Sequence, residues 1–182
     1  MNSAIPPSLT HHNTNYCLAH LQPFSSQFNW TCKNNRNLDL RVRVKWSNHC
    51  ISEELLGVAP TGAMVLHDGQ NRPRVFDHDR YMWSRDLPTI VGDLFTKPAT
   101  TIRLTTENNW YTFRLGMPHP LPSGEKYYCF VRLRYMYQFG SNPLSHIIRL
   151  SVESAYSRST EPFTPHGNER RMFGRIVEQL VP

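Results

Sequence analysis

Between Leu38 and Trp46 apolar and polar residues alternate without a break. Leu38, Leu40, Val42, Val44 and Trp46 fall on one face, and Asp39, Arg41, Arg43 and Lys45 on the other. Successive side chains of a strand point to opposite faces, so this segment reads as a half-buried strand with a basic outer surface. The same period returns twice near the C-terminus, over residues 127–137 and 146–156. In the first, Tyr127, Cys129, Val131, Leu133 and Tyr135 alternate with Tyr128, Phe130, Arg132, Arg134 and Met136; in the second, Ile148, Leu150, Val152, Ser154 and Tyr156 alternate with Ile147, Arg149, Ser151 and Glu153. Gly140-Ser141-Asn142-Pro143 between them is turn chemistry, and the pair is predicted to be an antiparallel ribbon. Shorter strand patterns at 101–105 and 110–115 extend it into a meander.

The helical period is rarer. From the N-cap candidate Asp77, the residues Arg80, Tyr81, Trp83, Leu87, Ile90, Val91, Leu94 and Phe95 follow amphipathic spacing, with Pro88 kinking the helix or starting a second piece capped by Asp86. Residues 169–180 place Met172, Phe173, Ile176, Val177 and Leu180 on one stripe, a closing amphipathic helix. Residues 51–73 read as loop with a short helical turn near Glu53, and residues 1–15 as a disordered polar leader. The expected fold is therefore one α+β domain over 16–182, an antiparallel meander with two helices packed on one face.

Composition agrees with a half-buried sheet: among 182 residues only 19% are charged, 12% are aromatic, and 14 prolines interrupt long helices. An excess of 20 Lys and Arg over 14 Asp and Glu gives +6. That balance suits a polyanionic partner through phosphate contacts, and equally a basic solvated surface. Arg41, Arg43 and Lys45 can track a phosphate backbone or simply discourage edge-to-edge pairing.

Four cysteines, Cys17, Cys32, Cys50 and Cys129, have no C-x-x-C spacing. Reduced thiols in a cytoplasmic protein are the simplest reading; a cluster of Cys17, Cys32, His49 and Cys50 is one metal alternative, and Asp77-His78-Asp79 with Asp68 is another, for a hard cation, although Asp77 already reads as a cap. No cofactor is implied. No stretch has signal-peptide or membrane-span character, and no Gly-rich phosphate loop or nucleophile elbow is written.

What remains is imidazole, guanidinium and carboxylate. Metal-free cleavage of RNA needs a base for the 2′-hydroxyl, an acid for the leaving oxygen, and cations for the phosphorane charge. His49 and Glu153 supply the acid and base, and Arg74, Arg80 and Arg134 the cations. Arg41, Arg43, Lys45, Arg132 and Arg149 are the remaining nucleic-acid-binding candidates. Surface ion pairing would account for the same residues. The tyrosines Tyr127, Tyr128, Tyr135, Tyr137 and Tyr156 interleave with arginines as in a base-stacking surface, or fill the sheet core.

Arg41–Cys50, Arg74-Val75-Phe76 through Leu87-Pro88, and Leu150–Tyr156 resemble short uncharacterised proteins of bacterial mobile elements, over roughly Leu38–Tyr156. The order of helix then meander resembles the barnase, colicin and RelE-like ribonuclease toxins. This second resemblance implies a metal-independent endoribonuclease of toxin type with RNA as partner and a protein antitoxin as a further one. The alternative is a non-enzymatic nucleic-acid-binding or inhibitory protein.

Overall fold

The computed structural model describes residues 5–32, 34–105, 109–114, 117–136, 146–161 and 170–182. Its centre is a seven-stranded sheet in the order β12-β8-β9-β10-β11-β4-β3. Here β3 is Phe24–Thr31, β4 Asn37–Trp46, β8 Thr101–Leu104, β9 Trp110–Arg114, β10 Lys126–Met136, β11 His146–Arg158 and β12 Arg170–Met172. The alternating segments are strands, as their period predicts, and β4 shows the pattern most clearly: every second residue from Leu38 to Trp46 is buried.

The meander is only part of the sheet. Strands β8 to β11 are sequentially antiparallel, but β11 then pairs in parallel with β4, from His146 opposite Leu40 to Val152 opposite Trp46. The sheet is thus mixed and curls into a half-barrel. The loop expected over 51–73 is corrected as well. β5 (Ser52–Glu54) and β6 (Val65–His67) flank β7 (Pro73–Phe76) in a second, three-stranded sheet. Residues 8–15 of the expected leader belong to a hairpin of β1 (Ser8–His11) and β2 (Thr14–Cys17), with Leu9 buried. The Gly140–Pro143 turn lies outside the described residues.

Helix α1 (His78–Ser84) starts at Asp77, whose carboxylate accepts the Arg80 backbone N–H at 2.9 Å. α2 (Leu87–Thr96) follows after a break at Arg85-Asp86, with Pro88 in its permissive first turn. α3 (Phe173–Leu180) is shorter than predicted because 170–172 pair with β8 instead. The buried faces of the helices join one core with the inner sheet residues Leu40, Val42, Val44, Val131, Leu150 and Val152. α3 approaches the sheet closely: Phe173 meets Phe28 edge-on at 5.6 Å, and a Cβ on Gly174 would lie 2.5 Å from the Trp30 ring.

One irregularity reorders a face. Val131 pairs with Val152 but Phe130 pairs with Ser154, so Glu153 is the extra residue of a β-bulge. Beyond it Ala155 is fully buried, and Ser154 and Tyr156 stand opposite Phe130 and Tyr128 on the outer face. The expected face shared by Val152, Ser154 and Tyr156 therefore breaks at Glu153.

A cationic cleft with an aspartate–histidine pair

β4 ends where it runs beside the bulge, and the chain turns there. The Ser47 backbone N–H donates to the Val152 carbonyl at 2.9 Å, extending the ladder by one bond, and the Ser47 hydroxyl accepts the His49 N–H at 3.2 Å. The resulting tight turn, Asn48–Cys50, is tied to the second sheet by Asn48 Nδ2 donating to the His67 carbonyl at 2.8 Å. It projects His49 toward the β6–β7 turn.

Asp68 meets it there. Its Oδ1 accepts the backbone N–H groups of Gln70 and Arg72 at 2.8 and 2.9 Å, which closes the turn around the side chain. Oδ2 lies 2.7 Å from Arg72 Nε and 3.2 Å from His49 Nε2. Asp68 is only 6% exposed. Burial pushes its carboxyl up, but the backbone bonds from Arg72 and Gln70 and the side chains of Arg72 and His49 outweigh that and hold it well below the usual carboxylate range. His49 moves the other way on the scale of its charge. Burial and the nearby Arg74 charge lower its pKa, and the hydrogen bond to Asp68 offsets only part of this. With Asp68 ionised, the neutral ring places its proton on Nε2 toward the carboxylate and leaves Nδ1 as acceptor.

The pair opens onto a cleft of about 300 Å³. One wall is the turn 47–49 with Asp68–Arg72; the floor is the outer face of three adjacent strands, with Lys45 from β4, Arg149, Ser151 and Glu153 from β11, and Arg132 and Arg134 from β10. Glu153 stands 3.9 Å from Arg132, and Arg132 also donates to Asn109 Oδ1 at 2.8 Å. Five lining cations face two lining carboxylates, so the cleft carries a positive excess. The class this defines is an α+β protein with guanidinium groups spread over a sheet face beside an imidazole held by a carboxylate. The chain belongs to the YjaZ family, whose model matches residues 8–181. No curated protein and no solved structure matches the chain.

His49, Glu153, Arg134, Arg132, Arg149 and Lys45 are brought together. Arg41 and Arg43 share the outer face of β4 but do not line the cleft; Arg43 stands directly opposite Arg149. Arg134 also stands opposite Arg149, so its cross-strand neighbour is another cation and not Glu153.

Arg74 and Arg80 are elsewhere. Arg74 is buried and donates to the Ser52 hydroxyl at 3.0 Å and the Ser52 carbonyl at 2.8 Å. Arg80 donates to the carbonyls of Ser52 and His49 at 2.8 and 3.3 Å and lies over the Tyr156 ring. Both arginines bind Ser52, just after the His49 turn, and Arg80 also binds His49 within it; neither lines the cleft.

Tyr127 and Tyr128 are fully buried and Tyr156 stacks on Phe130 at 5.2 Å, so these three rings pack the sheet; Tyr137 lies outside the described residues. Cys50 is buried, which pushes its thiol up to about 12, while Cys17 is exposed. Among the described residues no three His, Cys, Asp or Glu side chains are grouped to hold a metal, and no helix is long and apolar enough to cross a membrane.

Sequence reading offers Asp68 only as a turn residue and a possible cation ligand beside Asp77-His78-Asp79, and does not single out Arg72; the structure places both in the cleft. Asp68-Gly69 reads as turn chemistry, which is also what it does; its second oxygen reaches His49 only because two sheets meet at that point.

Proposed function

We propose that this protein is a metal-independent endoribonuclease. One observation carries the reading: His49, paired to Asp68, and Glu153 face the same cleft as Arg132, Arg134, Arg149 and Lys45. Glu153 takes the proton of the 2′-hydroxyl, and the 2′ oxygen attacks phosphorus. His49, in the protonated form that burial and Arg74 disfavour and the Asp68 hydrogen bond partly restores, gives a proton to the leaving 5′ oxygen. The products are a 2′,3′-cyclic phosphate and a 5′-hydroxyl. Arg132 and Lys45 are nearest in register to the acid–base groups and hold the non-bridging oxygens as charge builds on the phosphorane. Arg74 and Arg80 act through the His49 turn as positioning residues. Toxin-like action in the cytoplasm, a mobile-element origin and a protein inhibitor covering the cleft belong to the same reading.

A second reading, a non-enzymatic RNA-binding protein, is favoured by the row of arginines at Arg149, which needs an anion but no chemistry. Incubation of purified protein with labelled RNA in excess EDTA separates the two. Cleavage with cyclic-phosphate ends, reduced about 10²- to 10⁴-fold in His49→Ala and in Glu153→Gln, supports the nuclease. Cleavage that survives both substitutions refutes these roles, and binding without turnover selects the second reading.

A further inference from the structure

The cationic surface continues well past the acid–base groups. From Glu153 the outward positions of β11 run back through Ser151 to Arg149, four residues and about 13 Å of strand. At Arg149 the parallel register sets Arg43 on one side and the antiparallel register sets Arg134 on the other. Three guanidiniums thus lie abreast on adjacent strands, in a row about 10 Å wide at the usual strand spacing. Arg43 and Arg134 are exposed and Arg149 is half-buried. Among the described residues none of the three forms an ion pair with a carboxylate, whereas Arg132 in the next row has Glu153. Like charges directly opposite each other destabilise a sheet, and an anion lying across them removes the penalty.

We propose that the Arg43–Arg149–Arg134 row is a phosphate-binding subsite remote from the reacting bond. The substrate is then a single-stranded RNA of about five or more nucleotides. A stacked strand advances about 3.4 Å per nucleotide, so the 13 Å between Glu153 and the row corresponds to about four. One phosphate lies between His49 and Glu153 while another, about four nucleotides along, bridges the row. An A-form RNA duplex keeps its bases paired and presents a wide, shallow minor groove, so an unpaired strand is the form that can place a 2′-hydroxyl and its phosphate inside a cleft of about 300 Å³. The assignment rests on RNA as the ligand, but not on turnover.

The test uses uncleavable 2′-O-methyl oligonucleotides of two, four, six and eight residues, with binding followed by fluorescence anisotropy between 50 and 300 mM salt. Affinity is expected to rise at least tenfold from the dimer to the hexamer and then level off. In the Arg43→Gln, Arg134→Gln, Arg149→Gln triple variant the rise is lost, and the slope of log K against log salt becomes shallower by about 0.7, the value for the one phosphate the row holds. The corresponding triple lysine variant keeps its charge, and its slope stays at the wild-type value. Affinity independent of length, or a glutamine variant that folds and keeps the wild-type slope, overturns the subsite. If the expected binding pattern is found while unmodified RNA is never cleaved, the subsite stands and the nuclease reading falls. If dimers and hexamers are cleaved equally well, the subsite falls and the nuclease stands.

Discussion

Replacing Arg149 by Gln should make the free protein more stable. The residue is flanked by Arg43 and Arg134 at directly paired positions, where Cβ atoms sit about 5 Å apart and the charged ends about 6 Å. Two unit charges at that distance in water repel by roughly 0.7 kcal/mol. Two such pairs sum to roughly 1.3 kcal/mol at 10 mM salt, and screening with a Debye length of about 8 Å halves this near 0.15 M. At about 2–4 °C per kcal/mol for a chain of this size, the variant should melt about 3–5 °C above wild type in 10 mM salt and about 1–3 °C above it at 0.15 M. Gln keeps most of the side-chain volume, so packing changes little. Thermal unfolding by circular dichroism at 10, 150 and 500 mM salt measures the difference directly. Adding a single-stranded RNA octamer should reverse the order, because a ligand at a hundredfold excess over its Kd contributes about 2.7 kcal/mol and wild type binds it more tightly. A variant that melts below wild type at 10 mM salt, or a gap that does not shrink as salt is added, would refute the charge-row argument.

Other residues give independent checks. Asp68→Asn removes charge-assisted bonds to Arg72 and His49 and should cost about 2 kcal/mol in urea unfolding at pH 6. Because the folded Asp68 carboxyl is held low, its contribution is complete above the unfolded carboxylate pKa of about 3.9 and fades as pH falls below that, so the gap to wild type should narrow at pH 3. His49 has a lowered folded pKa, and the folded state therefore binds fewer protons than the unfolded one just below pH 6.5. Stability should be flat above about 6.5 and fall as pH drops beneath it; His49→Gln should flatten this part of the profile, leaving the share of His20, which is lowered by burial as well. Gly174→Ala forces a methyl group into the Trp30 ring and should cost about 1–3 kcal/mol of overpacking, read as a melting point about 2–12 °C lower. In the native protein Ellman's reagent should titrate one thiol, Cys17, and all four after denaturation.

β4 was legible because its burial follows the period of two; in β10 both faces are buried, and the alternation instead divides the main core from a second cluster holding Tyr128 and Phe130. Tyr127, Cys129, Val131, Leu133 and Tyr135 all join the core, as their alternation predicts. The bulge was not, since Ser154 and Tyr156 continue the Leu150–Val152 phase as plausibly as Ala155 interrupts it. Nor was the pairing of β4 with β11, because nothing local in either strand records a partner so distant in sequence. His49, Glu153 and Arg134 could be chosen by chemical type, but the partner of each depended on register. Arg134 and Glu153 suggested an ion pair; one β10 position decides that Arg132 approaches Glu153 and Arg134 faces Arg149. Arg74 and Arg80 show the opposite difficulty: a guanidinium that secures buried carbonyls has the same letter as one that grips phosphate.

The parallel β4–β11 junction also has a consequence in time. It joins segments about a hundred residues apart in sequence, and everything the cleft needs straddles it: Lys45 and His49 on one side, Arg132, Arg149 and Glu153 on the other. Closing so large a loop is entropically costly and comes late in folding, after local hairpins have formed. A nascent chain that has left the ribosome only as far as β10 therefore holds no cleft. The positively charged cleft is completed in a single late step; under the proposed RNA-directed function, this would keep half-made molecules from engaging the RNA crowded around the machinery that synthesises them.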